Sequence, residues 1–471
     1  MLDRYRTYAL EKLAALGPRL LPFADAASAD LPLPRLIRLS LFQFSVGMAL
    51  VLLVGTLNRV MIVELGVPAS VVAAMISLPL LFAPFRALIG FRSDVHVSAL
   101  GWRRVPFIYR GTMLQFGGFA VMPFALLVLS GYMDAAQLSP LVGIACAALA
   151  FILVGAGAHM VQTVGLALAT DLAAPEKQPQ VVGLMYVSML VGMALSALAF
   201  GAALADYSPG RLIQVIQAAA VLTVVLNAAA LWKQEPRDRR RAHAPAPTDG
   251  FAAAWRTFVA GDGAARRLLV IGVGTMGFGM ADVLIEPFGG QILGLSVGAT
   301  TKLTATFAGG GLLGFALASH VLSQPAARPM RLAVWGALAG APALSAVIAA
   351  GPLASTAIFV AGVALLGFGA GLFVHGTLTA TMRAAPREQT GLALGAWGAV
   401  QASAAGLAAL VGGVVRDGIV ATQSGSAGGL EAAYRGVFAL EIALLIAAAL
   451  LAVKSAGAPR RARPSSVVPA E

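Results

Sequence analysis

Charge is what this chain has least of. Asp, Glu, Lys and Arg make up 11% of its 471 residues, against about 25% in a typical soluble domain. With 59% hydrophobic residues and a mean hydropathy of +0.84, it cannot clothe a water-soluble surface, so the composition implies a polytopic membrane protein. Cysteine is nearly missing. Cys146 stands alone in an apolar run, which excludes an internal disulfide and a cysteine metal cluster and leaves it as a small core residue. The five histidines show no paired spacing for zinc or haem. There is no P-loop, nucleophile elbow or metalloprotease motif, so neither an ATP-driven pump nor an enzyme has support, and no nucleotide is expected. Gly272-Val273-Gly274-Thr275-Met276-Gly277 matches a dinucleotide fingerprint by letter, but no strand precedes it and it lies inside an apolar helix, where glycine serves packing. Alternation of polar and apolar residues is also lacking, which argues against a β-barrel. The polar start, Met1 to Arg6, does not read as a signal peptide.

What is present is long apolar runs. They recur at about 36–58, 67–89, 107–130, 138–169, 181–204 and 211–232, and again at about 267–292, 299–322, 331–350, 353–382, 391–415 and 434–454. Each is near the roughly 20 residues that cross a bilayer. The expected fold is therefore all-α, with twelve transmembrane helices in two six-helix halves, 36–232 and 267–454. The basic, Pro-containing stretch 233–266 is expected as a linker, and 455–471 as a disordered tail. Within the first 35 residues, 2–22 form an amphipathic pattern. Leu10, Leu13, Leu16 and Leu20 share a face, suiting a helix that lies on membrane lipid; a frayed tail is the alternative. The net charge of +12 could suggest nucleic acid, but the cations sit between apolar runs. The N-terminus, the 90–106 loop, the linker, the 323–331 and 383–390 loops and the tail hold nearly all of them, which places both termini in the cytoplasm. The halves echo each other: Ala173-Ala174-Pro175-Glu176-Lys177-Gln178 follows the fourth run and Ala384-Ala385-Pro386-Arg387-Glu388-Gln389 the tenth. Same-sense six-helix repeats are the arrangement of facilitator-superfamily transporters, with a central cavity between halves.

Three groups of residues stand out against this background. Gly90 and Asp94, with Gly101, Arg103 and Arg104, resemble the superfamily signature between helices two and three, in which an acid, arginines and a helix end form a latch. The step from Asp94 to Gly101 is longer than usual, and the second half offers only Gly314 and Ser319-His320 in the matching place. An ordinary basic loop is the alternative. The second group is Asn58, Arg59 and Glu64 at the end of helix one, with Asp282 and Glu286 in helix seven. The two helix-seven acids lie four residues apart and share a face. Lipid is a poor place for them, so they should face the bundle interior. Arg59 is expected near the outer boundary, paired with Asp282 or Glu286, as a lock between halves, a gate or part of a proton path. Pro287 invites a kink beside them. The third group is His159 and His375, inside helices four and ten. Neutral imidazole can serve as an axial ligand to a metal centre; a hydrogen-bonded histidine within the bundle is the plainer alternative.

The wording of several stretches is specific. Phe42-Gln43-Phe44-Ser45-Val46-Gly47-Met48, Gly55-Thr56-Leu57-Asn58-Arg59, Gly111-Thr112-Met113-Leu114-Gln115-Phe116-Gly117-Gly118 and Asp282–Gly290 resemble the PucC/LhaA family, the bacteriochlorophyll-delivery branch of the major facilitator superfamily. The resemblance implies an assembly factor for light-harvesting antenna complexes in the inner (intracytoplasmic) membrane of a photosynthetic bacterium. Such a factor would deliver bacteriochlorophyll, a transient ligand, to antenna polypeptides or shield them during pigment insertion, and the resemblance then makes His159 and His375 candidate ligands of its magnesium. Antenna polypeptides, bacteriochlorophyll and membrane lipids are then the expected partners, with the pigment's synthase as a further candidate and no nucleic acid. A proton-coupled transporter of a small solute and a pigment-free scaffold are the rival readings.

Overall fold

The computed structural model describes residues 27–28, 31–81, 86, 89, 92–93, 96, 101–131, 137–174, 177–236, 263–322, 324, 327–384, 390–423 and 428–456. The amphipathic stretch 2–22, Gly90, Asp94, most of the 233–266 linker and the tail beyond 456 lie outside them. Every regular element among the described residues is helical. Helix α1 spans Leu33–Glu64. It is followed by α2 (Ala69–Leu81), α3 (Val105–Leu129), α4 (Pro140–Leu172), α5 (Gln178–Ala203) and α6 (Pro209–Leu231). The second half comprises α7 (Ala264–Gln291), α8 (Val297–Leu322), α9 (Pro329–Ala350), α10 (Thr356–Ala384), α11 (Thr390–Thr422) and α12 (Gly429–Ala456). All but α2 carry an apolar window long enough to cross a membrane, so this is a multi-pass membrane protein with the expected twelve-helix order. Three expected ends move outward by five residues or more: α11 continues to Thr422, α1 to Glu64, and α12 begins at Gly429, because none of Arg416, Arg59 and Arg435 interrupts its helix.

Helix starts follow from local chemistry. Proline occupies the first turn of α1, α3, α4, α5, α6 and α9, where its missing N–H costs nothing. Ser139 and Ser208 cap α4 and α6 by accepting from the N–H groups of Leu141 and Arg211, which would otherwise be left without an acceptor.

Contacts fix which helix ends lie together. Arg35 of α1 donates to the Gln234 side chain and main chain just after α6, both at 2.9 Å. Arg103 and Arg104, before α3, reach Asp171 at the end of α4. In the second half, Arg383 at the end of α10 donates to the carbonyls of Leu322 and Ala327 around the α8–α9 turn. These form one end of the bundle, called here the basic end. At the other, far end, the halves meet directly. Ser70 N–H at the start of α2 donates to Asp417 of α11 at 2.7 Å. On α5 and α8, Gly201 and Gly298 face each other so closely that a Cβ on either would come within 2.8 Å of the other's carbonyl oxygen. Only glycine permits that approach. Helix α1 thus begins, and α12 ends, at the same end.

Packing inside each half mixes apolar and polar contacts. Ser45, Asn227 and Thr112 link α1, α6 and α3 through bonds of 2.7 and 2.9 Å. Phe288 centres an aromatic cluster with Phe359, Tyr434 and Phe438, its ring 5.4–5.7 Å from each. The 272–277 stretch lies wholly within α7, consistent with helix packing rather than nucleotide binding.

Candidate functional site

The candidate site is built where α1 crosses α7. Helix α1 does not stay a regular α-helix: Val51–Leu57 and Val60–Glu64 are wound as π-helix, and Leu65 N–H reaches back to the carbonyl of Val60 at 3.0 Å. In an α-helix, residues five apart point about 140° away from each other. The wider turn brings them together, so Arg59 and Glu64 form an ion pair. The guanidinium is 3% exposed, and its second nitrogen donates to the carbonyl of Leu295 in the α7–α8 turn at 3.1 Å. The expected pairing of Arg59 with Asp282 or Glu286 is therefore corrected. Arg59 closes on its own helix and on a backbone carbonyl of the other half, because π-winding changes both its height and the face from which it projects. The Arg59 side chain passes over Gly290, where a Cβ would lie 3.1 Å from Nη2. Beyond the helix end, burial and the neighbouring Glu64 carboxylate raise the pKa of Tyr207, while Arg59 opposes them.

Asn58 has a different partner. Its side-chain amide donates to the carbonyl of Val283 at 2.6 Å, with Asn58 fully buried. Val283 is four residues before Pro287, whose ring nitrogen has no hydrogen to give back along the helix. Proline on one half thus frees an acceptor, and an asparagine from the other half satisfies it. Nearby, Thr56 and Thr301 hydroxyls meet at 3.3 Å. Glu286 is 4% exposed; its Oε1 accepts from the Thr304 hydroxyl at 2.5 Å, while Oε2 has no partner. Gly55 on α1 makes room for this carboxylate, since a Cβ there would come within 2.5 Å of Oε1. Asp282, one turn from Glu286, is exposed within the bundle. Both acids line a cavity of about 150 Å³ with Leu50, Val54, Leu303 and Phe307.

Reading from sequence missed two further groups. Glu441 of α12 is fully buried and accepts from the Ala281 N–H of α7 at 2.7 Å, a carboxylate on a backbone donor in mid-helix. Arg416 of α11 pairs with Asp417 at 2.6 Å and donates to Gln291 at 2.8 Å, beneath the Tyr434 ring. Glu441 is the only acid in an otherwise apolar run from Val437 to Val453, and that isolation was the available signal.

At the basic end, Arg103 and Arg104 share Asp171 at 2.5 and 3.0 Å. Arg104, 4% exposed, also donates to Ser93 Oγ at 2.6 Å. The Glu235 carboxylate accepts from the main-chain N–H groups of Arg103, Arg104 and Val105 at 2.8–3.1 Å. It sits on the positive start of α3 and satisfies donors that the helix cannot. Gly101 adopts a positive φ of 78° just before them, a conformation glycine takes without strain. The structure gathers Arg103 and Arg104 around Asp171 and Glu235, acids that sequence reading passed over; Gly90 and Asp94, the expected glycine and acid of the latch, lie outside the described residues.

His159 of α4 lines a smaller cavity of about 50 Å³ between α1, α2 and α4, with Pro79 and Phe151. His375 of α10 is 8% exposed and packs edge-on against Phe315, centroids 4.0 Å apart. The two histidines are not brought to one place. Among the described residues no group of three His, Cys, Asp or Glu could hold a metal ion.

A family model described as PUCC protein matches residues 56–458. The chain belongs to the PUCC protein family. A "Protein PucC" from Rhodovulum sulfidophilum is 63% identical over 421 residues, covering 89% of this chain and 92% of that protein. Another, from Rhodobacter capsulatus, is 58% identical and covers 95% and 98%. A more distant member, named "Bacteriochlorophyll synthase 44.5 kDa chain" in Rhodobacter capsulatus, is 30% identical across 93% of this chain and 99% of its own length. Among solved structures, a bacterial homologue of the iron transporter ferroportin in an inward-facing state superposes with TM-score 0.64 at 15% identity, over 90% of this chain and all of that one. A bacterial homologue of the lysosomal transporter Spinster gives 0.62 at 15%, over 90% and 96%. At such identity they show the fold alone: this PUCC-family chain has the major facilitator architecture.

Proposed function

We propose that this protein is an assembly factor for light-harvesting antenna complexes, not an enzyme, delivering bacteriochlorophyll to antenna polypeptides or shielding them while pigment is inserted. The observation that carries this reading is the family match across residues 56–458. A relative whose name contains bacteriochlorophyll synthase agrees with a photosynthetic role and with a synthase as a neighbour in the pigment's path. The physics is consistent. Bacteriochlorophyll is a flat macrocycle with a long isoprenoid tail and is held by single-span polypeptides inside the bilayer, so its carrier must itself be a membrane protein. Sites for drug-sized molecules occupy about 300–1,000 Å³, and the central cavity is about 150 Å³. The pigment is therefore carried against the lipid-facing surface rather than enclosed. His159, beside the cleft between α1, α2 and α4, is the better placed of the two histidines to touch magnesium; His375 is spent on packing against Phe315.

The basic end faces the cytoplasm of the inner (intracytoplasmic) membrane, because Arg35, Arg38, Arg103, Arg104, Arg328, Arg331 and Arg383 gather there. Reporter fusions at Ala244 and Ala458 should both read as cytoplasmic. Purification in mild detergent followed by an absorption spectrum tests the function. Bound bacteriochlorophyll supports delivery, and antenna polypeptide without pigment supports a scaffold. A second reading, proton-coupled transport of a small solute, is favoured by the two carboxylates in the central cavity. A preparation with neither pigment nor antenna polypeptide, in a strain whose antenna absorbance survives deletion of the gene, would move the assignment there.

A further inference from the structure

The central cavity holds two carboxylates and no cation. Asp282 and Glu286 are four residues apart on one face of α7, and no Lys, Arg or His is among the residues lining the cavity with them. The nearest candidate, Arg59, lies one turn further toward the far end; its two terminal nitrogens go to Glu64 and the Leu295 carbonyl, and its Nε is buried with no partner among the described residues. Glu286 is 96% buried by its 4% exposure. One of its oxygens takes the Thr304 hydroxyl, and the other, Oε2, has no donor. A buried carboxylate oxygen without a donor is costly. Asp282 makes no hydrogen bond among the described residues and faces open space. The remaining wall is apolar: Leu50, Val54, Ile285 and Leu303, with the Phe307 ring.

We propose that this cavity binds a small primary ammonium group, its N–H donors shared between the Glu286 carboxylate and Asp282 and its alkyl portion against Leu50, Val54 and Phe307. A calcium- or magnesium-type ion fits less well. It takes six or more oxygen ligands, and the side chains here offer four carboxylate oxygens and one hydroxyl, with one carboxylate oxygen already bonded to that hydroxyl. An ammonium needs three acceptors at most, and an aliphatic ammonium uses the apolar wall that a metal ion would waste. About 150 Å³ suits a group of a few heavy atoms, such as a free alkylamine or the head of an aminophospholipid. The site does not depend on the pigment-delivery reading, and its test does not use that activity.

The test is thermal unfolding of the full-length protein in mild detergent, titrated with ethylammonium chloride against equal sodium chloride, and repeated in nanodiscs of phosphatidylethanolamine or phosphatidylcholine. The expected result is a saturable rise in midpoint with ethylammonium but not sodium. Glu286→Gln, nearly the same size as glutamate, should abolish it. Asp282→Asn, on the open side of the cavity and unbonded in the fold, should weaken it about tenfold or more and covers the case in which the first variant does not accumulate. Stabilisation by ethylammonium alone assigns a soluble amine, and by phosphatidylethanolamine nanodiscs a lipid head group; either supports the site. Equal stabilisation by sodium, a shift that survives both substitutions, or a response to pH with none to ethylammonium would overturn it.

Discussion

The bond from Asn58 to the Val283 carbonyl makes a prediction that few helix crossings allow. It exists because Pro287 cannot donate to Val283. Asn58→Leu removes the donor without opening a large hole, and leaves a buried carbonyl with no partner. Such a loss costs about 1–3 kcal/mol in a soluble core. In membrane bundles measured interhelical hydrogen bonds average nearer 0.6, with a maximum near 1.7 kcal/mol. The expected cost is therefore about 1 kcal/mol, nearer the top of the membrane range because Asn58 is fully buried. Pro287→Ala restores the main-chain N–H and lets α7 satisfy Val283 by itself. In that background Asn58→Leu should cost little, so the two changes should be non-additive by at least about 0.5 kcal/mol. The assay is a four-member cycle of unfolding midpoints in mixed detergent and dodecyl sulfate, with the protein concentration fixed. If Asn58→Leu costs the same with alanine at 287 as with proline, the carbonyl of Val283 is not what Asn58 serves, and the account of this crossing fails.

Other expectations follow from the same geometry. Asp171→Asn should destabilise the basic end by about 1–3 kcal/mol, because Arg104 is buried there, whereas Arg240→Ala in the linker should change the unfolding midpoint little. Glu235→Gln should lower stability by about 0.5–1 kcal/mol, an effect that weakens in high salt if charge at the α3 start is responsible. Gly55→Ala should reduce accumulation through its clash with Glu286, and Gly55→Ala combined with Glu286→Ala should accumulate better than Gly55→Ala alone. Tyr207 has its pKa raised by burial first and by Glu64 second, so it favours the folded state below its ordinary pKa, a contribution lost as pH climbs through the raised value. Glu64→Gln should bring the tyrosinate transition of Tyr207, identified by subtraction of Tyr207→Phe, to lower pH; an unchanged transition would remove Glu64 as a cause.

Helix number, order and the two-half division were legible because they rest on apolar run length, which the bilayer alone dictates. The interior position of Asp282 and Glu286 was legible for a similar reason: carboxylates avoid lipid. Their partners were not. Projecting Arg59 along a regular α-helix at 1.5 Å per residue placed it beside the helix-seven acids, but the π-wound turns at 51–57 and 60–64 are invisible to a periodicity argument. They turn a five-residue spacing into an ion pair. Asp171 and Glu235 escaped notice because each sits at a helix end, where a lone charge is ordinary. Their roles come from three-dimensional proximity to the start of α3, more than 60 residues away in sequence for Asp171 and more than 130 for Glu235.

The distribution of bonds between the halves bears on how such a protein could move. At the far end the halves are tied by Arg59 to Leu295, Asn58 to Val283, Ser70 to Asp417 and the close glycine pair of α5 and α8. Toward the basic end the contact between halves includes the edge-on rings of Tyr186 and Trp397, 6.4 Å apart, and the ion pairs there lie within the first half. Among the described residues, several directed hydrogen bonds at the far end resist separation more than the apolar packing of Tyr186 against Trp397, Ile271 and Leu378 does at the basic end. Opening should therefore begin at the basic end, hinging on the far-end ties. Glu286 lies just beneath those ties and Asp282 on the open side of it, so a cation entering from the basic end reaches Asp282 first. Trp397→Ala should loosen the basic end while leaving the far end intact. Hydrogen exchange at the Ser70 amide, which is bonded to Asp417, would then be unaffected by that substitution, whereas exchange around 186 and 397 would speed up. Faster exchange at both places would mean that the halves separate as rigid bodies with no far-end hinge.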